Sequence, residues 1–292
     1  MESELFKGPI PKTVRIVFMD FDGTIKPSGA PVSKPDVTAS KKLGHLGLIR
    51  VVATGRGLYS FQRDYPDGFE LDYLLFSSGL GLCPWKGGPG PLALSGRFDR
   101  TDRDRALAAC LALKRGFLAF EPPPRCHYHA FQYPEGHRPT EGFMKRLSSY
   151  VQFTRPYQPN VDLGPVSEFL IPTPSRQALE IMADFEKLCP GLSVLRSSSP
   201  FGDDSVWLEI FPPGFSKGQT AKILADSLSL NASHALALGN DYNDLDLLDW
   251  AGLGLVTSNA PASLRAEYAS IPAVTEKPLN YLYKLIAKSR KG

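Results

Sequence analysis

The sequence predicts an α/β fold: a doubly wound, mostly parallel, Rossmann-like core sheet interrupted by an inserted α+β unit. Two observations carry that reading. At both ends of the chain, short apolar runs of the kind that form strands buried on both faces alternate with helical patterns. Between them lies a long stretch whose strand and helix signals break that alternation.

Val14–Met19 is the first apolar run, interrupted only by Arg15. Residues 33–46 read as a helix, Leu48–Ala53 as a second buried strand, and Leu74–Phe76 as the end of a third. In the middle, a helix over 101–115 precedes strands at Phe117–Glu121 and Cys126–Gln132. A helix after Pro139 puts Phe143, Leu147 and Tyr150 on one face. Strand Val166–Ile171 follows, then a helix from Ser175 to Cys189. In that helix Ala178, Met182, Phe185 and Cys189 recur at three- and four-residue spacing, and Pro190-Gly191 stops it. Two strands lie near 192–196 and 205–211. The first pattern then returns. Ser216 with Gln219 three residues on is a capping box that opens a helix through Leu228. His234–Leu238 and Leu253–Val256 are further buried strands, and the KSRKG end of segment 281–292 reads as a frayed, solvated helix end. The core is therefore expected in residues 1–82 and 212–292, with the insertion over 83–211. No internal repeat is present.

Composition narrows the function classes. The 292 residues are 42% hydrophobic, enough for a sizeable core and against a disordered chain. Lys and Arg number 33 against 30 Asp and Glu, and a net charge of +3 is too small to argue for nucleic acid. No apolar run is long enough for a membrane helix. MESELFKGPIPK is too polar for a signal peptide. Cys83, Cys110, Cys126 and Cys189 are far apart with no CxxC pair, which fits a reducing, cytoplasmic setting better than a disulfide framework or zinc knuckle. Oligomeric state is silent.

The chemistry-bearing residues follow the strands, where ligands bind in open α/β sheets. Asp20-Phe21-Asp22-Gly23-Thr24 directly follows the first strand. Its two carboxylates straddle a turn that glycine permits. They suit a nucleophile with a proton shuttle, or a hard cation with oxygen ligands. Thr54-Gly55-Arg56 follows the second strand, and a hydroxyl with free N–H groups there forms an anion pocket or a plain N-cap. Lys217 sits in the first turn of a helix, where a cation is unfavourable unless a phosphate or carboxylate answers it. Gly239-Asn240-Asp241-Tyr242-Asn243-Asp244 is an acidic loop after a strand, suited to Mg²⁺ or to capping the next helix.

This ordered set resembles the haloacid dehalogenase-like phosphohydrolases over nearly the whole chain: DxDGT, a threonine, a lysine, then a GDxxND-like loop. The insertion between threonine and lysine, with FLIPTPSRQALEIMADFEKL, VWLEIFPPGFSKGQTAKIL and ALGNDYNDLDLLDWAGLG, resembles the Cof-type and sugar-phosphatase branch, which carries an α/β cap there. The resemblance implies specific roles. Asp20 would attack phosphorus and form an aspartyl-phosphate. Asp22 would protonate the leaving alcohol and then activate water. Thr54 and the Gly55 N–H, with Arg56 and Asn243, would hold the phosphoryl group, and Lys217 would neutralise both Asp20 and the phosphate. Mg²⁺ would bind Asp20, the carbonyl of Asp22 and the loop residues Asn240, Asp241 and Asp244. The implied reaction is hydrolysis of a small phosphomonoester such as a sugar phosphate, with no nucleic-acid or membrane partner. A phosphomutase and a non-catalytic phosphate-binding protein are the alternatives. No GxxxxGK[ST] occurs, which disfavours a P-loop kinase.

Two residues depart from the family pattern. Asn240 stands where the family usually has Asp, which predicts a cation site that works but is tuned weaker. Ser78 stands where the branch often has Asn. In the insertion, Cys126-His127-Tyr128-His129 read as a strand would put His127 and His129 on one side. They could hold a metal, touch substrate together with Arg125, or simply face the sheet surface. Trp85 and Trp207 read as packing, and Pro122-Pro123-Pro124 as a stiff hairpin connection.

Overall fold

The computed structural model describes residues 5–134, 139–199 and 204–291. The first four residues of the polar amino-terminal stretch and Gly292 lie outside them. The chain divides into two compact units, Met1–Arg56 with Phe61–Leu94 and Ser216–Gly292, and Gly57–Ser60 with Ser95–Phe215.

In chain order, β1 (Ile16–Met19), α1 (Lys34–His45), β2 (Ile49–Ala53), α2 (Leu58–Arg63), β3 (Tyr73–Phe76), β4 (Gly81–Pro84) and β5 (Leu94–Ser95) come first, all in the first unit except the first turn of α2 and Ser95 of β5. The second unit contributes α3 (Arg100–Ala112), β6 (Phe117–Phe120), β7 (His129–Gln132), α4 (Glu141–Ser149), β8 (Thr154–Pro156), β9 (Glu168–Pro174), α5 (Ala178–Leu188), β10 (Ser193–Ser198) and β11 (Ser205–Phe211). The first unit is then completed by α6 (Lys217–Ser227), β12 (Ala235–Gly239), α7 (Leu245–Trp250), β13 (Leu253–Thr257), α8 (Ala262–Glu267), β14 (Ala269–Ile271) and α9 (Pro278–Lys291).

The first unit's sheet runs β14-β13-β12-β1-β2-β3-β4-β5. From β14 to β3 every pairing is parallel. Strands β1 and β12 are buried throughout, which is why their sequences are nearly unbroken apolar runs. The order reverses beside β1, because the chain winds outward to β2 and β3 on one side and to β12, β13 and β14 on the other. The carboxyl ends of β1 and β12 therefore flank a topological switch point. The chain leaves the first unit twelve residues later than the expected break after residue 82. Gly81–Pro84 folds back antiparallel on β3 and keeps the segment in the core sheet.

The expected frayed carboxyl end is in fact docked. Leu279, Leu282 and Ile286 are buried on α9. The Arg290 guanidinium donates to the carbonyls of Leu46 and Val14. Ser33 caps α1 through the Asp36 N–H, and Asp36 Oδ1 in turn accepts the Asn280 N–H at 2.8 Å, tying α1 to α9.

The second unit's sheet runs β10-β11-β9-β6-β7-β8, antiparallel except for β7 with β8. Phe117, Phe169, Ile171, Phe185 and Leu208 form its core with α3 and α5. The expected strand from Cys126 begins only at His129, because residues 126–127 are spent on a turn. The two-residue alternation thus does not place His127 beside His129. The His127 ring stacks on Tyr59 at 4.9 Å, whereas His129 is buried, with Nδ1 3.1 Å from the His127 carbonyl and Nε2 3.0 Å from Thr154 Oγ1. A carbonyl only accepts, so Nδ1 carries the proton and His129 is an interior packing residue. Among the described residues, no three His, Cys, Asp or Glu side chains converge on a metal position.

Burial and the nearby Arg146 charge push the His129 pKa from 6.5 down to about 3. Between those values the unfolded chain takes up a proton that the folded one refuses. Stability is then complete above about pH 6.5 and falls as the pH drops, by about 1.4 kcal/mol per unit from this group. His129→Gln should flatten that acid limb in urea melts between pH 7 and 4. Parallel limbs for both proteins would refute the assignment.

Candidate active site

Asp20 leaves β1 with its N–H bonded to the Leu238 carbonyl of β12 at 2.8 Å, so its backbone is set by the sheet. The following turn is closed by the Ile25 and Lys26 N–H groups on the Phe21 carbonyl. Gly23 takes φ +76°, and a Cβ there would stand 2.5 Å from the Asn240 carboxamide, so the turn needs glycine for two reasons.

Lys217 is the first residue of α6, whose N-cap Ser216 accepts the Gln219 N–H. Its ammonium is buried, 2.8 Å from Asp20 Oδ1 and 2.6 Å from Asp244 Oδ1. The unfavourable first-turn lysine is thus answered by two carboxylates. Burial pushes this ammonium toward neutrality, but the charges of Asp20 and Asp244 reverse that and hold its pKa above the ordinary value. Burial and the Asp244 charge push Asp20 upward despite Lys217.

Asp244 is fully buried, and its second oxygen accepts the Asn240 and Asp241 N–H groups at 2.8 and 3.1 Å. Expected among the cation ligands, it has one oxygen on the Lys217 ammonium and the other on these N–H groups, and so anchors the loop. Asp241 accepts the Tyr242 N–H at 2.8 Å and so caps the short turn that follows it. The loop side chain that reaches the Asp20 carboxylate is Asn240. Its carboxamide lies 3.0 Å from Asp20 Oδ2 and 2.8 Å from both the Asp22 carbonyl and Thr24 Oγ1. Bonds of 2.0–2.1 Å from an octahedral Mg²⁺ imply ligand–ligand edges of about 3 Å. The Asp20 carboxylate, the Asp22 carbonyl and the Asn240 side chain therefore fit that ion, with one side-chain charge among them.

Asp22 projects outward with its side chain half exposed, and Arg56 grips it with two hydrogen bonds of 2.6 and 2.7 Å. Arg56 also meets Asp64 at 2.5 Å. Burial disfavours the guanidinium charge, but both carboxylates hold its pKa above the usual value. Arg56 is thus a carboxylate partner in this state, and Asp64 is a member that the sequence did not reveal.

Thr54 is buried beyond β2, and its hydroxyl accepts the Arg56 N–H at 3.1 Å. A Cβ on Gly55 would lie 3.5 Å from Ser78 Oγ and 3.7 Å from Asn243 Nδ2. Thr54, Gly55 and Asn243, named separately in the sequence, therefore border one polar niche, and Ser78 joins them. Ser77 and Ser78 take left-handed backbone (φ 49° and 51°) while their N–H groups bond the Arg56 and Thr54 carbonyls. Gly79, at φ +102°, accepts Thr220 Oγ1 at 2.7 Å, and a Cβ there would collide with the Ser216 carbonyl. This loop seats the polar niche against the helix start that carries Lys217. The small residues 77–79 directly after a strand were its only sequence signal.

A parallel sheet thus brings two aspartates, a buried lysine and a polar niche together at its switch point, an arrangement that suits an anionic ligand. A profile of the haloacid dehalogenase-like hydrolases matches residues 134–277, which bears out the resemblance read from the motifs. A putative phosphatase of Haemophilus influenzae is 30% identical over 91 residues, 31% of this chain and 32% of that protein. The match spans about a third of that relative's length. Among solved structures, a phosphatase of the haloalkanoate enzyme superfamily from Bacteroides thetaiotaomicron aligns with TM-score 0.73 at 18% identity, over 96% of this chain and 98% of the other. A subclass IIB sugar phosphatase of that superfamily aligns with TM-score 0.71 at 14% identity, over 94% and 99%.

Proposed function

We propose that this chain is a Mg²⁺-dependent phosphohydrolase that cleaves small, sugar phosphate-like monoesters through an aspartyl-phosphate on Asp20. The observation that carries this reading is the buried Asp20–Lys217–Asp244 chain at the switch point. A carboxylate attacking an anionic phosphate must have its charge offset, and a desolvated, fixed ammonium offsets it without reorganisation.

The substrate phosphoryl group sits in the niche of Thr54, the Gly55 N–H, Ser78 and Asn243. Asp20 attacks phosphorus, and the bond to the ester oxygen breaks. Asp22 donates its proton to the departing alcohol. It then takes a proton from the water that opens the aspartyl-phosphate, which regenerates both carboxyl groups. For this, Asp22 exchanges its Arg56 fork for the substrate, and Arg56 keeps Asp64 as a partner. A bound Mg²⁺, held by Asp20, the Asp22 carbonyl and Asn240, supplies further charge compensation. Residues 95–215 supply substrate selection. The four buried cysteines support a reducing, cytoplasmic location. Among the described residues no helix is long and apolar enough to cross a membrane.

The test is phosphate release from a panel of sugar and nucleotide phosphates, with MgCl₂ or with EDTA. Mg²⁺-dependent release is expected for a subset of the panel. Conversion of a sugar phosphate to its isomer without free phosphate would replace hydrolysis by mutase chemistry. Mg²⁺ binding without turnover of any compound would leave a phosphate-binding protein.

A further inference from the structure

Asn240 is one of the two residues at which this chain departs from the family pattern it resembles, and its surroundings are specific. One end of its carboxamide faces the Asp20 carboxylate and the Asp22 carbonyl at 3.0 and 2.8 Å. The carbonyl cannot donate a hydrogen bond, and neither can the ionised Asp20 carboxylate. An oxygen at the inner position is stable only if a cation lies between it and them. A nitrogen there donates to both. The third neighbour, Thr24 Oγ1 at 2.8 Å, serves either case, because a hydroxyl donates to an inward Oδ1 and accepts from an inward Nδ2. Meanwhile the loop backbone is pinned, since Asp244 holds the Asn240 N–H. The same side-chain position therefore satisfies two states that differ by half a turn of the amide.

We infer that Asn240 is a cation-coupled amide switch: Oδ1 points inward with Mg²⁺ bound, and Nδ2 points inward and takes the cation's hydrogen-bonding place when it is not. This rests on the Mg²⁺ reading above and goes further. An aspartate at 240 would fit only the bound state, because without the cation it would add a third carboxylate beside Asp20 and Asp244. The amide keeps both Asp20 oxygens partnered in either state, Oδ1 by Lys217 and Oδ2 by Asn240 or the ion. A site held in order without metal gains less from binding it. It also offers one fewer ligand charge.

The test uses the whole chain, wild type and Asn240→Asp, with MgCl₂ titrated calorimetrically and melting temperatures taken in EDTA and in Mg²⁺. Asn240→Asp should bind Mg²⁺ at least tenfold more tightly, melt lower than wild type in EDTA, and gain more from Mg²⁺. In ¹⁵N spectra of the wild type, the Asn240 side-chain amide pair, assigned by its loss in Asn240→Asp, should shift on Mg²⁺ saturation. If the variant does not fold in EDTA, that amide pair alone decides, and an unmoved signal overturns the switch. Equal affinities with equal melting in EDTA overturn the switch and leave the Mg²⁺ site standing. No Mg²⁺ binding by either protein overturns both.

Discussion

Asp20→Asn is expected to lower phosphate release by at least about 10³-fold on every substrate that the wild type hydrolyses. The change replaces an anionic nucleophile by a carboxamide of the same shape. Its Oδ1 can still accept from Lys217, so the ammonium is not stranded. The burial that pushes Asp20 upward is also relieved, because the amide carries no charge to desolvate. The variant should therefore fold and melt within a few degrees of the wild type, which separates lost chemistry from lost structure. Acid-quenched single turnovers with ³²P-labelled substrate should leave label on the wild type and none on the variant. More than a tenth of wild-type activity in Asp20→Asn would remove Asp20 from the nucleophile's role and the aspartyl-phosphate from the mechanism.

That Asp20 could be picked out before any coordinates follows from how the fold is encoded. A strand buried on both faces has to be an apolar run, so β1, β2 and β12 announce themselves, and the polar residues that end them mark the sheet's carboxyl edge. The helix α6 was legible through Ser216, because a side-chain cap has to precede the first turn. What stayed hidden depends on contacts remote in sequence. The strand Gly81–Pro84 carries little β-forming signal of its own and exists because β3 offers it an edge. The turn at 126–127 broke an alternation that otherwise looked like strand. Asp244 has the residue type of a cation ligand, and only the approach of Lys217 from α6, 27 positions away, shows that it is an anchor. Ser78 and Asp64 enter the site through backbone turns and a guanidinium that a single sequence does not display. The departure at Asn240 was visible as a lost charge, but its hydrogen-bonding capacity in two orientations needed the positions of Asp20, Asp22 and Thr24.

Lys217→Met should be the single change in the centre most damaging to stability, and it should lower the rate as well. The ammonium is buried between Asp20 and Asp244, and Asp244 is fully buried too. Removing one member of a buried ionic set strands the rest, at a cost of about 3–5 kcal/mol at neutral pH, far more than an exposed pair would lose. Methionine preserves most of the volume, so the loss reflects charge and not a cavity. The pH dependence identifies the cause. Lys217 is the cation that holds Asp20 down, so without it the folded-state pKa of Asp20 rises further above the ordinary 3.8. A folded state that binds a proton more tightly than the unfolded one gains stability as the pH falls toward that ordinary value. The deficit of Lys217→Met, read by urea unfolding, should accordingly be large at pH 7.5 and shrink by pH 5. Adding Asp20→Asn should recover part of it, a coupling that independent sites would not show. Activity should fall at least about 10²-fold at neutral pH, the scale of losing one preorganised electrostatic donor. A loss below 1 kcal/mol that is equal at both pH values would mean that the ammonium does not hold the two carboxylates together, and the charge compensation proposed for phosphoryl transfer would lose its source.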